Sequence, residues 1–155
     1  MRKLVVLLTM ALVAGLLSSV QAKTSNQPDE GVQAEARQGF EQILDLWRDG
    51  KYRELYDRTT RSGKETREHF IARLADAPLK PACCWEKMQD VSVSAKKENV
   101  VLVRARIGLE GAVEKEYKTR SFKLVKEDGV WKISQADILS LSGASKKKKR
   151  YLRRK

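Results

Sequence analysis

Two cysteines stand side by side in "APLKPACCWEKMQD", and Cys83 and Cys84 are the only thiols in the chain. Redox and metal chemistry are the first things such a pair suggests, and the spacing argues against both. A zinc centre takes four protein ligands, or three and a water, usually with cysteines two to four residues apart. Two cysteines and one histidine are all this chain offers, so neither a metal nor a cofactor is implied. A thioredoxin-like couple keeps two residues between its thiols, so that one thiolate meets a helix N-terminus. Neighbours on a strand instead point to opposite faces, and joining their sulfurs demands a special turn. The pair is therefore expected as two unpaired thiols, at least one buried as a small hydrophobe. A vicinal disulfide, favoured by an oxidising compartment and easily reduced, and a bridge to another chain are the alternatives.

His69 is the single histidine. At about 100° per residue it shares a helix side with Glu65, Arg73 and Asp76 and lies roughly a right angle from Phe70. That describes a solvated residue among charges of both signs. Acid or base catalysis needs a group that points into a cavity and is desolvated there. Glu114, Glu116, Lys118 and Arg120 qualify if Gly111-Ala112 is a strict two-residue turn, because Glu116 then pairs with Ile107 and Arg120 with Val103. A bulge would turn Tyr117 and Thr119 inward and send those charges to water. The bulge is the expected arrangement, and no catalytic residue is assigned.

The elements that must hold these groups follow from periodicity. "VQAEARQGFEQILDLWRDG" places Val32, Ala36, Phe40, Ile43, Leu44 and Trp47 on one helical face, and Gly50 stops it. "KYRELYDRTT" predicts a short second helix with Tyr52, Leu55 and Tyr56 on one side. "SGKETREHFIARLADAP" predicts a third, opened by a Ser62-to-Glu65 capping box and ended by Pro78 and Pro81. The period then changes from 3.6 to 2. A first strand carries Trp85, Val91, Val93 and Ala95 on one side, and "KKEN" turns the chain. A second puts Val101, Val103, Ala105, Ile107 and Leu109 toward the core and Arg104 and Arg106 outside. A third runs from about Val113 to Glu127. Asp128-Gly129 makes a two-residue hairpin turn, pairing Leu124 with Ile133 and Lys126 with Trp131. "ADILSL" is expected as a last extended or turn segment.

The ends of the chain have a different composition. "MRKLVVLLTMALVAGLLSSVQA" has two basic residues, an apolar run too short to span a bilayer comfortably, and a small-x-small ending, which reads as a secretory signal cleaved after Ala22. The protein is therefore expected outside the cytoplasm, periplasmic or secreted. Residues 23–31 read as a polar leader, 32–141 as one domain and 142–155 as a basic tail. Of the twelve net positive charges, all but two come from Arg2, Lys3 and the eight basic residues Lys146, Lys147, Lys148, Lys149, Arg150, Arg153, Arg154 and Lys155. Any polyanionic partner therefore answers to the tail, and in an exported protein that partner is an anionic envelope surface rather than nucleic acid.

Three helices followed by a meander of antiparallel strands, with "LWRDGKYRELYD" at the first helix break and "DGVWKI" at the hairpin, resemble the superfamily of nuclear transport factor 2 and ketosteroid isomerase, the cystatin-like cone. The resemblance covers about Val32 to Leu141. It implies an α+β fold in which three N-terminal helices pack on a curved antiparallel sheet of about four strands around a conical cavity. It also implies that a homodimer could form through the outer sheet face. Trp47, Tyr56, Phe70, Trp85, Val103, Tyr117 and Trp131 are the residues expected to line such a cavity, with Phe122 in the core beside them. One such fold hosts enzymes and inert binding modules alike. Without a catalytic set, the sequence points to an exported non-catalytic domain for a small apolar ligand or a protein partner. An isomerase or dehydratase using Glu116, and a tail-driven binder of anionic polymers or lipids, are the alternatives.

Overall fold

The computed structural model describes residues 30–60 and 65–144. The expected signal, residues 23–29 of the leader, the capping residue Ser62 and the basic residues from Lys146 onward lie outside the described residues.

Helix α1, Glu30–Arg48, forms where the apolar spacing predicts it and starts two residues before the expected domain boundary. Glu30 in its first turn and Arg48 in its last complement the helix dipole. Ala36, Phe40, Ile43, Leu44 and Trp47 are all completely buried. The helix ends in a Schellman motif: Lys51 N–H donates to the Leu46 carbonyl (2.9 Å), Gly50 N–H donates to that of Trp47 (3.2 Å), and Gly50 takes φ +73°. Helix α2, Tyr52–Asp57, follows at once, then the two-residue strand β1, Thr59–Thr60. Helix α3 is Arg67–Ala75. Its N-cap is Thr66, whose Oγ1 accepts from His69 N–H at 3.3 Å, so the helix opens later than the Ser62-to-Glu65 spacing predicts. Phe70 of α3 meets Tyr56 of α2 edge-on, ring centroids 5.7 Å apart.

The second half is sheet: β2 (Lys80–Pro81), a 3-10 turn (Cys84–Lys87), β3 (Gln89–Lys97), β4 (Val100–Glu110), β5 (Lys115–Glu127) and β6 (Val130–Ser134). Strands β3 to β6 form the expected antiparallel meander. The hairpin register Leu124↔Ile133 and Lys126↔Trp131 is as counted outward from Asp128 and Gly129, both of which take positive φ. The short strands extend the sheet at both edges: β2 pairs antiparallel with the end of β4, and β1 pairs parallel with β6. Among the described residues the fold is thus α+β with four helices and a mixed six-stranded sheet.

The fourth helix corrects an expectation. "ADILSL" is not extended; it belongs to α4, Gln135–Leu141, capped by Ser134, whose side chain accepts from Ala136 N–H at 3.2 Å. Its buried Gln135, Ile138 and Leu139 recur at helical spacing. The folded part also continues beyond 141: Ser142 is fully buried, its carbonyl accepts from Leu79 N–H, and the Ala144 carbonyl accepts from Arg73.

Helix α1 packs on one face of the sheet, against β2, β3, β4 and β6. Val101, Val103, Ala105, Ile107 and Leu109 of β4 supply the fully buried floor. Phe40 of α1 meets Phe122 of β5 with centroids 5.0 Å apart. Gly39 lets the helix close on β6, since a Cβ there would lie 2.9 Å from that of Trp131.

Candidate functional site

The outer edge of β4 is paired twice, by β2 at Pro81↔Leu109 and by β3 at Gln89↔Arg106. The chain between them, residues 82–88, loops out of the sheet. Ala82 N–H still donates to the Gly108 carbonyl at 2.9 Å, and then Cys83 and Cys84 form a vicinal disulfide. Cys84 has φ +60°, a left-handed conformation costly for a residue with a side chain. The 3-10 turn that follows lays its backbone on Gly108: a Cβ at that glycine would stand 2.4 Å from the Glu86 carbonyl oxygen. Only a residue without a side chain admits this crossing.

The expectation of two unpaired thiols is corrected accordingly. Strand geometry would separate neighbouring sulfurs, but these cysteines are not on a strand: the positive φ at Cys84 bends the chain and brings the sulfurs together. The same bend corrects the placement of Trp85. Continuing the alternation of β3 backward puts it with Val91 and Val93, yet it is 73 % exposed.

Glu86, next in sequence, is anchored. Its carboxylate accepts from Lys115 Nζ at 2.5 Å and from the Tyr117 hydroxyl at 3.0 Å. Those donors hold the Glu86 carboxyl below its ordinary pKa, Lys115 more than Tyr117, and the hydrogen bond to Glu86 in turn raises the Lys115 ammonium. Arg106 covers the Tyr117 ring at 4.3 Å. Lys87 points the other way and is buried against α1, with Asp45 at 2.7 Å and Glu41 at 3.3 Å. The loop is therefore pinned from both sides, leaving Trp85 outward.

The turn between β4 and β5 lies beside it. It is four residues long, closed by Gly111 N–H to the Glu114 carbonyl at 3.1 Å, and Val113 on it is 93 % exposed. Pairing runs unbroken from Glu110↔Lys115 to Val100↔Val125. The expected bulge is absent from β5, and neither Tyr117 nor Thr119 turns inward. Tyr117 instead pairs with Gly108 on the face that carries the loop. Glu116, Lys118 and Arg120 share the parity of Leu109, Ile107 and Ala105, as in the strict-turn alternative but shifted by two residues. They are nonetheless accessible. Glu116 sits 3.1 Å from Lys118 Nζ, and Arg120 donates to Ser140 Oγ of α4 at 2.8 Å.

The seven residues expected along a cavity wall thus separate. Trp47, Tyr56, Phe70, Val103 and Trp131 belong to the packed core, whereas Trp85 and Tyr117 are exposed at the looped-out edge. Hollows among the described residues lie elsewhere. One of about 470 Å³ lies between α1 and α2, touching Asp45, Asp49, Glu54 and Arg58; another of about 170 Å³ lies where α1 meets β6. Of the seven, only Trp131 touches either.

His69 is exposed and its Nδ1 lies 2.9 Å from Glu65, as its charged neighbours suggest. Sequence reasoning missed Glu86, Lys115, Val113 and Asp137. Asp137, in the first turn of α4, has its carboxyl pushed above the usual range by burial, against the pull of Arg120. Glu86 and Lys115 are 29 residues apart in sequence, and no local spacing signals their pairing. Set against known protein families and against curated proteins, the chain finds no match.

Proposed function

We propose that this protein is an exported, non-catalytic binding domain of the cystatin-like cone type that engages its partner through the rim formed by residues 82–88 and the β4–β5 turn. One observation carries the reading. The large apolar side chains exposed among the described residues are Trp85, Val113 and Tyr117, and all three lie at this end. Scattered single apolar residues need no explanation, but a cluster rimmed by charge marks an interaction surface. The order of three helices and an antiparallel meander supports the cone reading, and the N-terminal signal supports export. Phe40, Trp47, Phe122 and Trp131 meeting under α1 favour recognition at the surface over a ligand within.

A photo-crosslinking phenylalanine analogue placed at Trp85, at Val113 or at Glu54 in the hollow between α1 and α2 tests the reading in cells producing the full chain. Adducts from positions 85 and 113, with none from 54, are expected. Equal capture at all three, or none at the rim, overturns it.

Asp137 favours a second reading, the isomerase or dehydratase class, because burial raises its carboxyl above the usual carboxylate range against the pull of Arg120, and a carboxyl shifted in that direction is a candidate general acid. Glu116 suits that role less, being accessible and ion-paired. Turnover of an enolisable ketone that disappears in Asp137→Asn would establish this reading over the first.

A further inference from the structure

We propose that the sheet face opposite α1 is a second binding surface, taking a linear polyol-phosphate chain along Arg104, Arg106 and Lys123. The chain carries little net charge once Arg2, Lys3 and the residues from Lys146 onward are set aside, but that charge is not evenly placed. Residues paired across a ladder share a face. Arg104 of β4 therefore stands with Ser92 of β3 and Ser121 of β5, Arg106 with Thr119, and Lys123 with Leu102 and Ser94. Arg104, Lys123 and the four hydroxyl residues around them are exposed. None of the three cations forms an ion pair with a carboxylate among the described residues. The acids of this face stand at its two ends: Glu127 is taken by Lys132, and Glu110 lies between Lys80 and Lys115 in the register. Asp90, in the bulge of β3, pairs with neither arginine. Like charges side by side on a sheet repel, and here only an anion from outside can match them.

Spacing and surroundings name the anion. Arg104 and Arg106 are two residues apart on one strand, about 7 Å. Lys123 lies diagonally across from Arg104, at about 7–8 Å, so the three cations form a row of even step. Two residues of extended chain are six backbone bonds long. Successive phosphates joined through a three-carbon polyol are also six bonds apart, so an extended chain of that kind presents one negative charge at each step. Arginine takes a phosphate through parallel hydrogen bonds and lysine takes it as a point charge. Serine and threonine hydroxyls between the cations can donate to, or accept from, the polyol. A single-stranded nucleic acid shares the six-bond repeat, but such chains are held by aromatic side chains on which the bases stack. The ring this face offers, Tyr117, is covered by Arg106 at 4.3 Å. A homodimer through this face, as the cone resemblance implies, would set like charges against one another.

The test titrates the chain as the cell processes it with poly(glycerol phosphate) and follows backbone amide shifts by NMR. Shifts at residues 92–94, 102–106 and 119–123, with α1 unmoved, are expected. Shifts confined to residues after 144 overturn the proposal, because the basic C-terminal segment then binds alone. Arg104→Gln and Lys123→Gln, folded by circular dichroism, should each weaken binding about fivefold and lower the slope of log affinity against log salt by about 0.7. Arg53→Gln, which removes an exposed charge from α2, should change affinity less than about twofold. Equal losses from the three variants, or no loss from any, overturn the proposal, because binding then follows total charge rather than this face. Tighter binding of oligothymidylate than of poly(glycerol phosphate), at equal phosphate concentration, overturns the polyol assignment in favour of nucleic acid. A dimer that shields the Arg104 and Lys123 amides overturns the surface itself.

Discussion

Strand β4 serves the covered face of the sheet and the rim in opposite ways. Toward α1 it presents Val101, Val103, Ala105, Ile107 and Leu109, all fully buried, and the requirement is only that each be apolar and of suitable size. Toward the loop it presents Gly108, where the requirement is the absence of any side chain at one position. The first region is redundant, built from many similar contacts. The second depends on a few singular features: a glycine under a carbonyl, a residue at φ +60°, a disulfide between neighbours and one ion-paired carboxylate. Redundancy suits a region whose task is stability. Singular geometry suits a region that must hold Trp85 in water against its tendency to bury.

The contrast breaks most visibly if the covered face is opened. Phe122→Ala removes a fully buried ring packed 5.0 Å from Phe40 and should lower stability by about 3–5 kcal/mol in urea unfolding. A loss under about 1 kcal/mol would mean that the face is not close-packed. Gly108→Ala attacks the rim at its one fixed crossing. The new Cβ would meet Glu86 backbone atoms at 2.4 and 3.2 Å, so the loop must lift, at a cost of about 1–3 kcal/mol. Amide exchange should accelerate at residues 84–88 and stay unchanged in α1. Acceleration in both would deny that the two regions are separable.

The Glu86–Lys115 clamp sharpens the comparison through pH. A carboxyl whose folded pKa is depressed contributes stability that is present above its unfolded value and lost as pH falls through the folded one. A raised ammonium contributes below its unfolded value and loses that contribution as pH rises through the folded one. Both signs say that the clamp is closed across the neutral range and opens only in acid or strong alkali. The Glu86 carboxyl should titrate by carbon-13 NMR below its ordinary 4.5, and Lys115→Met should return it most of the way. A midpoint at or above 4.5 in the native protein would show that the clamp does not form in solution.

How far each region could be read in advance follows from the same difference. The face of α1, the alternation along β4 and the β5–β6 register depend on repeated patterns, and each is visible in residue spacing. The rim depends on exceptions to pattern. Alternation of faces holds only while a strand stays regular, and the 3-10 turn Cys84–Lys87 and left-handed Asp90 interrupt it between Trp85 and Val91, so counting by twos sent Trp85 to the wrong side. In β5 a four-residue turn kept the parity of a two-residue one, and Glu116, Lys118 and Arg120 kept the covered-face side without being buried there. Seven residues of α4 were too few to show a helical period against a short apolar run.

Trp85→Ala should have the smallest effect on stability of all, within about 0.5 kcal/mol, because a side chain 73 % exposed leaves little packing to lose. The result matters for its smallness. Tryptophan is large and apolar, and folding alone gives no reason to display it beside a disulfide on a looped-out edge. If unfolding in urea shifts by several kcal/mol instead, the indole covers part of the fold and the rim is an outlying piece of the core. If stability is untouched, the arrangement of Cys84, Glu86 and Gly108 that holds Trp85 outward serves something other than the fold, and the difference between the two faces of β4 is one of purpose.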